Sequence, residues 1–418
     1  MNDIVQNGHV VVPGIRSAKS GQQSPRFMYL YALAVSGGAV AYIPFLTILL
    51  PVRATALAGA DALNLLAIAA FAGAVAASIA NICFGWASDI TGTRRPYVCA
   101  GLMLSTGLLL AMPLATSAAM LITMIVLWQV GLNMMLAPMA ALAGDCIPDS
   151  QKGMLGGLLA LAPALGALSG ALVTLDGVTP FKDRETLVAL IVVLLVLPLL
   201  LMGKPVPMPH LVGRNIAEPE SSLVPRSATL RMWFARLLVQ IAEASLFAFL
   251  LLWFRSLDSD FRANDAASIF ALVLGLAVFL ALMIGRWSDR ANRPILPLVY
   301  GSGFAAGGLL IMAFAPNLPI AIAGYVTFGL ASSIFLALHS SQTLRVLPRN
   351  HTRGRDLGIF NLTNTFPSLI MPWLTLALVP DYGFSALFVL LAGLATGGCL
   401  LLITMPRRVT EIQAGRRA

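Results

Sequence analysis

Between residues 27 and 405 the chain is a train of apolar runs separated by short polar turns, and this pattern restricts the fold more than any other feature. The runs fall roughly at 27–50, 63–87, 97–115, 118–144, 154–175 and 186–202, then at 229–255, 264–287, 295–315, 319–344, 356–379 and 383–405. Each is about as long as a bilayer's hydrocarbon core is thick. Lipid offers no water to satisfy bare backbone groups, so runs of this length must be helices. The expectation is an all-α membrane protein with twelve transmembrane helices in two six-helix halves. Its parts are a tail at 1–26, a first half at 27–202, a linker at 203–228, a second half at 229–405 and a tail at 406–418. The linker reading rests on its prolines and mixed charges, which rule out a further span.

Composition supports the same class. Hydrophobic residues make up 58% of the 418 and charged residues 11%, and the mean hydropathy is +0.85. That leaves too little polar surface to coat a soluble globule. The runs also leave no room for a soluble catalytic domain. A net charge of +9 would suit nucleic acid only if the cations shared one face, and they sit instead in turns between runs. Topology accounts for them. Arg53, Lys182, Arg184, Arg255 and Arg262 fall on one side, Arg236 lies inside a run, and all other Lys and Arg fall on the side of the N-terminus. By the positive-inside rule both termini are cytoplasmic, which predicts a multi-pass protein of the inner membrane. Residues 1–25 lack the apolar core of a signal peptide. Cys83, Cys99, Cys146 and Cys399 lie in runs or at their cytoplasmic ends and read as free thiols, with no disulfide and no metal site.

One turn occurs twice. GWASDITGTRRP, residues 85–96, returns two hundred residues later as GRWSDRANRP, residues 285–294, pairing Gly85 with Gly285, Ser88 with Ser288 and Asp89 with Asp289. The second copy has no glycine after its aspartate. A further pair of turns agrees, Pro148 with Pro348, and Gly153 and Gly157 with Gly354 and Gly358 after a one-residue slip. The halves are therefore repeats of the same orientation.

Gly85, Asp89, Gly92, Arg94, Arg95 and Pro96 resemble the signature between helices 2 and 3 of the major facilitator superfamily, roughly G-x-x-x-D-x-x-G-R-R. The resemblance implies alternating access about a site near the bilayer midplane. It also implies a gating role for Asp89, Arg94 and Arg95, and for Asp289 and Arg293 in the second copy, each carboxylate meeting a neighbouring helix N-terminus. RGRDLGIFNLTNTFPSLIMP, residues 353–372, and LAGDCIPDSQKGMLGG, residues 142–157, resemble the turns of sucrose/proton symporters and related glycoside-pentoside-hexuronide carriers. GGLLALAPALGALSG, with Pro163, is loosely similar to the helix 5 signature of drug/proton antiporters, without its adjacent Gly-Pro. Its glycines also fit plain close packing of helices.

Soluble-enzyme motifs are missing, so bond-breaking catalysis is not expected, and no cofactor is implied. Polar side chains inside the runs are costly there and carry the functional reading. Glu243 lies near mid-membrane on helix 7, with Gln240 and Arg236 on roughly the same face. A carboxyl at that depth suits proton coupling, whereas the bland reading makes it a helix-joining group. Gln129 and Asn133, with Trp128 beside them, form a pair on helix 4 that suits either hydroxyl binding or an interhelical bond. Asn361, Asn364 and Tyr42 are further substrate-binding candidates. His339 reads as a packing residue, and Trp86, Trp287 and Trp253 as interface anchors.

The expected function is secondary active transport of a small solute, sugar or glycoside-like, by proton-coupled uptake. The partners are then the solute, protons and the lipid bilayer, with no nucleic acid and a monomeric state. Proton-driven efflux of amphipathic compounds is the alternative within transport, and a non-transporting receptor or scaffold is the alternative outside it.

Overall fold

Turn residues set the helix starts. Ser24, Ser117 and Asn317 each accept a hydrogen bond from the backbone N–H three residues on, which satisfies one of the donors a helix N-terminus leaves bare. Proline follows Ser24 directly and sits in the first turn after Asn317, where its missing N–H costs nothing. The computed structural model describes residues 21–174, 183–208, 211, 226–261, 263–347 and 352–405. Most of both tails, most of the linker, Lys182, Arg262 and Pro348 lie outside the described residues.

In chain order the helices are α1 (Pro25–Pro44), a π-helical turn (Phe45–Leu49), α2 (Leu50–Ala58), α3 (Ala62–Thr91), α4 (Arg95–Ala111), α5 (Ala118–Cys146), α6 (Lys152–Leu159), α7 (Leu161–Thr174), α8 (Arg184–Met202), α9 (Arg226–Leu257), α10 (Ala263–Ala291), α11 (Leu296–Ala313), α12 (Leu318–Val346) and α13 (Arg353–Ile403). α1 with α2, and α6 with α7, each form one pass. α13 runs for 51 residues but leaves helical geometry at Gly383 (φ 73°, ψ 177°), so it makes two passes. Ten stretches of the described residues are long and apolar enough to cross a membrane. α9 and the part of α13 before its bend complete the twelve. These two passes hold Arg236, Glu243, Asn361 and Asn364. The repeat is visible in the elements themselves, since α5 and α12 both have 29 residues and start two hundred residues apart.

Burial divides helix faces as lipid requires. On α8 the leucines at 190, 194, 197 and 201 form an exposed stripe, while Val188, Val192, Val196 and Leu199 are buried. In water such a stripe would be an aggregation surface, and in hydrocarbon it costs nothing. One buried core fills the first half and continues into the second through Met232, Leu298, Phe335 and Leu344. A separate core in the second half gathers Trp253, Phe254, Phe261, Tyr325 and Phe388. Trp253 is thus a core residue and not an interface anchor. It stacks on Phe254 at 5.0 Å and meets Phe388 edge-on at 4.7 Å. Trp86 and Trp287 are 54% and 46% exposed, as an interface position requires. The halves meet where α13 packs on α3 and α5, and where α6 packs on α10 and α12.

Candidate functional site

The two repeated turns lock the halves together at one end by the same device. Asp89, at the end of α3, accepts the backbone N–H of Gly354 at 3.0 Å and of Arg355 at 2.9 Å, the first turn of α13. Asp289, at the end of α10, accepts the N–H of Gly153 and of Met154 at 2.8 Å each, the first turn of α6. A carboxylate there faces bare amides and the positive end of the helix dipole. Each helix also opens on a cation, Arg353 and Lys152, which pair with Asp145 and Asp149. The approach depends on glycine. A Cβ on Gly85 would strike the Gly354 carbonyl and one on Gly354 the Gly85 carbonyl, and Gly153 and Gly285 stand in the same relation. One turn further along, Gly358 rests on Ile82 and Gly157 on Leu282.

Around this shared device the charges differ. Arg94 contacts Asp89 at 2.7 Å and Asp145 at 2.9 Å, and Asp145 in turn receives Arg353 at 2.6 Å, linking the halves again. In the second copy the guanidinium on Asp289 is Arg345, at 3.0 Å. Arg293, expected in that role, exchanges backbone-side contacts with Ser288 instead. The reason lies in turn length, because two residues fewer separate Asp289 from its following proline. Arg345 stands two hundred residues after Asp145, so the repeat has a cation where the first half has an anion. Arg95, the other expected gate cation, donates to the Gly203 carbonyl at the end of α8. The glycine missing from the second copy is replaced by Asn292, whose φ of 51° matches the left-handed φ of 67° at Gly92. Asparagine is among the few residues that tolerate this region.

Deeper in the second half, one face of α9 presents Trp233, Arg236, Gln240 and Glu243. Gln240 Nε2 donates to Glu243 Oε2 at 2.6 Å. Arg236 Nη1 donates to the Leu336 carbonyl, Ser340 Oγ and His339 Nδ1 on α12, and Nη2 donates to Asn364 Oδ1 on α13. Asn364 Nδ2 donates to Asn361 Oδ1. His339 is fully buried, and its Nε2–H donates to the Met232 carbonyl at 3.0 Å, which leaves Nδ1 as an acceptor. Tyr42 on α1 is 40% exposed and lies within electrostatic reach of both Arg236 and Glu243. The structure thus links Arg236 through Asn364 to Asn361, sets Gln240 and Glu243 on the same face of α9, and leaves Tyr42 of the other half within electrostatic reach.

Gln129 and Asn133 stand apart from this group. Asn81 on α3 donates to Asn133 Oδ1 at 2.8 Å, and Asn133 Nδ2 donates to the Gln129 carbonyl. Both side chains are buried; Asn133 joins α5 to α3, and Gln129 accepts from Asn133 within α5. Trp128 is fully buried against Phe45 at 4.8 Å, beneath the π-helical turn. Sequence reasoning missed Asn81, Arg345 and the role of Asp145 between the halves. The spacing that pairs Pro148 with Pro348 also pairs Asp145 with Arg345 and would have exposed the last two.

A profile of the Major Facilitator Superfamily matches residues 26–352 and 232–418. The comparison with curated proteins gives no match. Among solved structures, the human organic anion transporter MFSD10 (TETRAN) superposes with a TM-score of 0.73 at 16% identity, covering 91% of this chain and 100% of that one. The E. coli fucose:proton symporter FucP (N162A) gives 0.68 at 13%, covering 91% and 98%. The proton:xylose symporter XylE, bound to 6-bromo-6-deoxy-D-glucose, gives 0.69 at 13%, covering 91% and 96%. At these identities the likeness is one of fold.

Proposed function

The chain belongs to the Major Facilitator Superfamily, and from that premise we propose that it is a secondary active transporter coupling the uptake of a small polar solute to protons. The observation that carries this reading is Glu243. It is a carboxyl whose place in its apolar run puts it near mid-membrane, bonded to Gln240, on the helix face that also presents Arg236 and within electrostatic reach of Tyr42. A group so placed takes a proton from one side and releases it to the other as the halves rock. The carboxylate-to-helix locks keep the turn side shut in the present state, and opening them exposes the space around Glu243 to that side. A sugar or glycoside-like cargo is supported by the amide and hydroxyl groups of Gln240, Asn361, Asn364 and Tyr42, and by the resemblance of residues 142–157 and 353–372 to sugar-carrier turns. Two of the similar solved structures move sugars with protons, while a third is an organic anion transporter, so the fold does not select the cargo.

The test is a screen of labelled monosaccharides, disaccharides and sugar acids in proteoliposomes, with and without an imposed proton gradient. Accumulation of one class that follows the gradient and collapses with an uncoupler is expected. Failure of the gradient to drive any solute in either direction would remove the proposal.

We place the protein in the inner membrane with both termini and the locked turns in the cytoplasm, following the distribution of Lys and Arg. Reporter tags at residue 10, at residue 215 and at the C-terminus are then expected to read cytoplasm, and a tag near residue 180 the outside. A periplasmic reading at 215 would break the arrangement of six passes on each side of the linker.

A further inference from the structure

Several of the arginines that are largely withdrawn from solvent hold a carboxylate. Arg53 holds Glu185, Arg94 holds Asp89 and Asp145, Arg345 holds Asp289, and Arg353 holds Asp145, all within 3.0 Å. Arg236, half-buried on α9, does not. Among the described residues no carboxylate lies within ion-pair distance of it, and its acceptors are a carbonyl, a hydroxyl, a neutral imidazole nitrogen and an amide oxygen. Glu243 is seven residues away, about 10 Å along the helix; it acts on Arg236 through the field, but its hydrogen bond is to Gln240.

A guanidinium held inside a membrane protein without a direct ion pair is costly, and such a charge persists where an anion is brought to it. The geometry says which edge is free. Nη1 is committed to three acceptors on α12, Nη2 gives one bond, to Asn364 at 3.2 Å, and Nε gives none among the described residues. The Nε and Nη2 side is the edge that grips a carboxylate with two parallel bonds. Tyr42 on α1, in the other half, lies within electrostatic reach of the guanidinium. The charged and titratable groups around it are Glu243 on the same helix, His339 on α12 and Tyr42 on α1. No second cation stands with them among the described residues, so the site matches a single negative charge and not a phosphate dianion.

We propose that the cargo is an organic monoanion bearing a carboxylate, bound by Arg236 through its Nε and Nη2 edge beside Asn364. This rests on the transporter reading and narrows it, since a sugar acid satisfies the guanidinium and the amides together.

The experiment is thermal unfolding of the purified full-length protein in detergent with paired probes, D-glucuronate against D-glucose and D-gluconate against sorbitol. The acid of at least one pair is expected to raise Tm and its neutral counterpart to leave it unchanged. Arg236→Gln is expected to weaken that response about thirtyfold or more in apparent affinity. Because Arg236 also ties three helices together, Asn364→Asp is the second variant. It places a carboxylate on Nη2, keeps the fold, and is expected to remove the response by occupying the site. A neutral probe that stabilises as well as its acid, an acid response that survives Asn364→Asp, or no response to either acid would overturn the assignment. Proton-driven accumulation of a neutral sugar in vesicles would overturn it while leaving the transporter reading standing. An acid-specific response lost in Asn364→Asp, without transport of any solute, would do the reverse.

Discussion

Glu243→Gln is expected to abolish accumulation of cargo against its gradient while leaving exchange of labelled for unlabelled cargo intact. The substitution is mild in shape. Gln240 Nε2 donates to Glu243 Oε2, and the amide oxygen of the new side chain can accept the same bond, so local packing is retained. What is lost is the ability to take up and release a proton. With a fixed neutral group, rocking still carries loaded cargo in both directions, but nothing ties that movement to the proton gradient, and the accumulation ratio falls to about one. The role of a helix-joining group predicts another pattern. There the variant expresses less and unfolds at lower temperature, yet the surviving protein still concentrates its cargo when the outside is acidified. Measuring accumulation and exchange in the same vesicles separates the two, and retained proton-driven accumulation would move the search to His339 or Asp145.

Local chemistry explains which features were legible in the sequence. The spacing of Arg236, Gln240 and Glu243 places them on one helix face whatever the neighbours do, so periodicity alone groups them. The repeat of the Asp89 and Asp289 turns fixes their common place at helix ends. The fate of Gln129 and Asn133 depended on a partner in another helix, Asn81, and no pattern within α5 could name it. Arg236 is visible as a cation inside an apolar run, but its lack of a direct ion pair emerges only when α12 and α13 are packed beside it. The cation that meets the second gate carboxylate is hidden from the sequence for a similar reason. Arg293 is near Asp289 in the chain, whereas the guanidinium that reaches it comes from Arg345 on a different helix. Trp253 was read from its place at a run end, and the aromatic cluster that buries it is assembled from three further helices or turns.

Asp89→Asn and Asp289→Asn together are expected to unlock the turn side, with each substitution alone giving part of the effect. Each aspartate accepts two backbone N–H groups from the other half and also meets a guanidinium. Asparagine keeps one acceptor oxygen but loses the charge that matches the helix terminus and the guanidinium of Arg94 or Arg345. Bonds of this charged kind contribute about 1.5–3 kcal/mol each, so one substitution shifts the closed-to-open balance by roughly thirtyfold at about 2 kcal/mol. The two locks have no residue in common, and their losses add. Labelling reads this directly. With Cys83, Cys99, Cys146 and Cys399 replaced by serine, a cysteine at Asn364 reports on the space above the gate. An impermeant thiol reagent added from the turn side should modify it slowly in the parent protein, faster in either single variant and fastest in the double. The expected order also distinguishes a lock from a mere fold contact, because a destabilised protein would expose Asn364→Cys from both sides of the membrane at once. If the double variant were labelled from the turn side no faster than its parent, the carboxylates would be holding turns in shape and not holding the halves together.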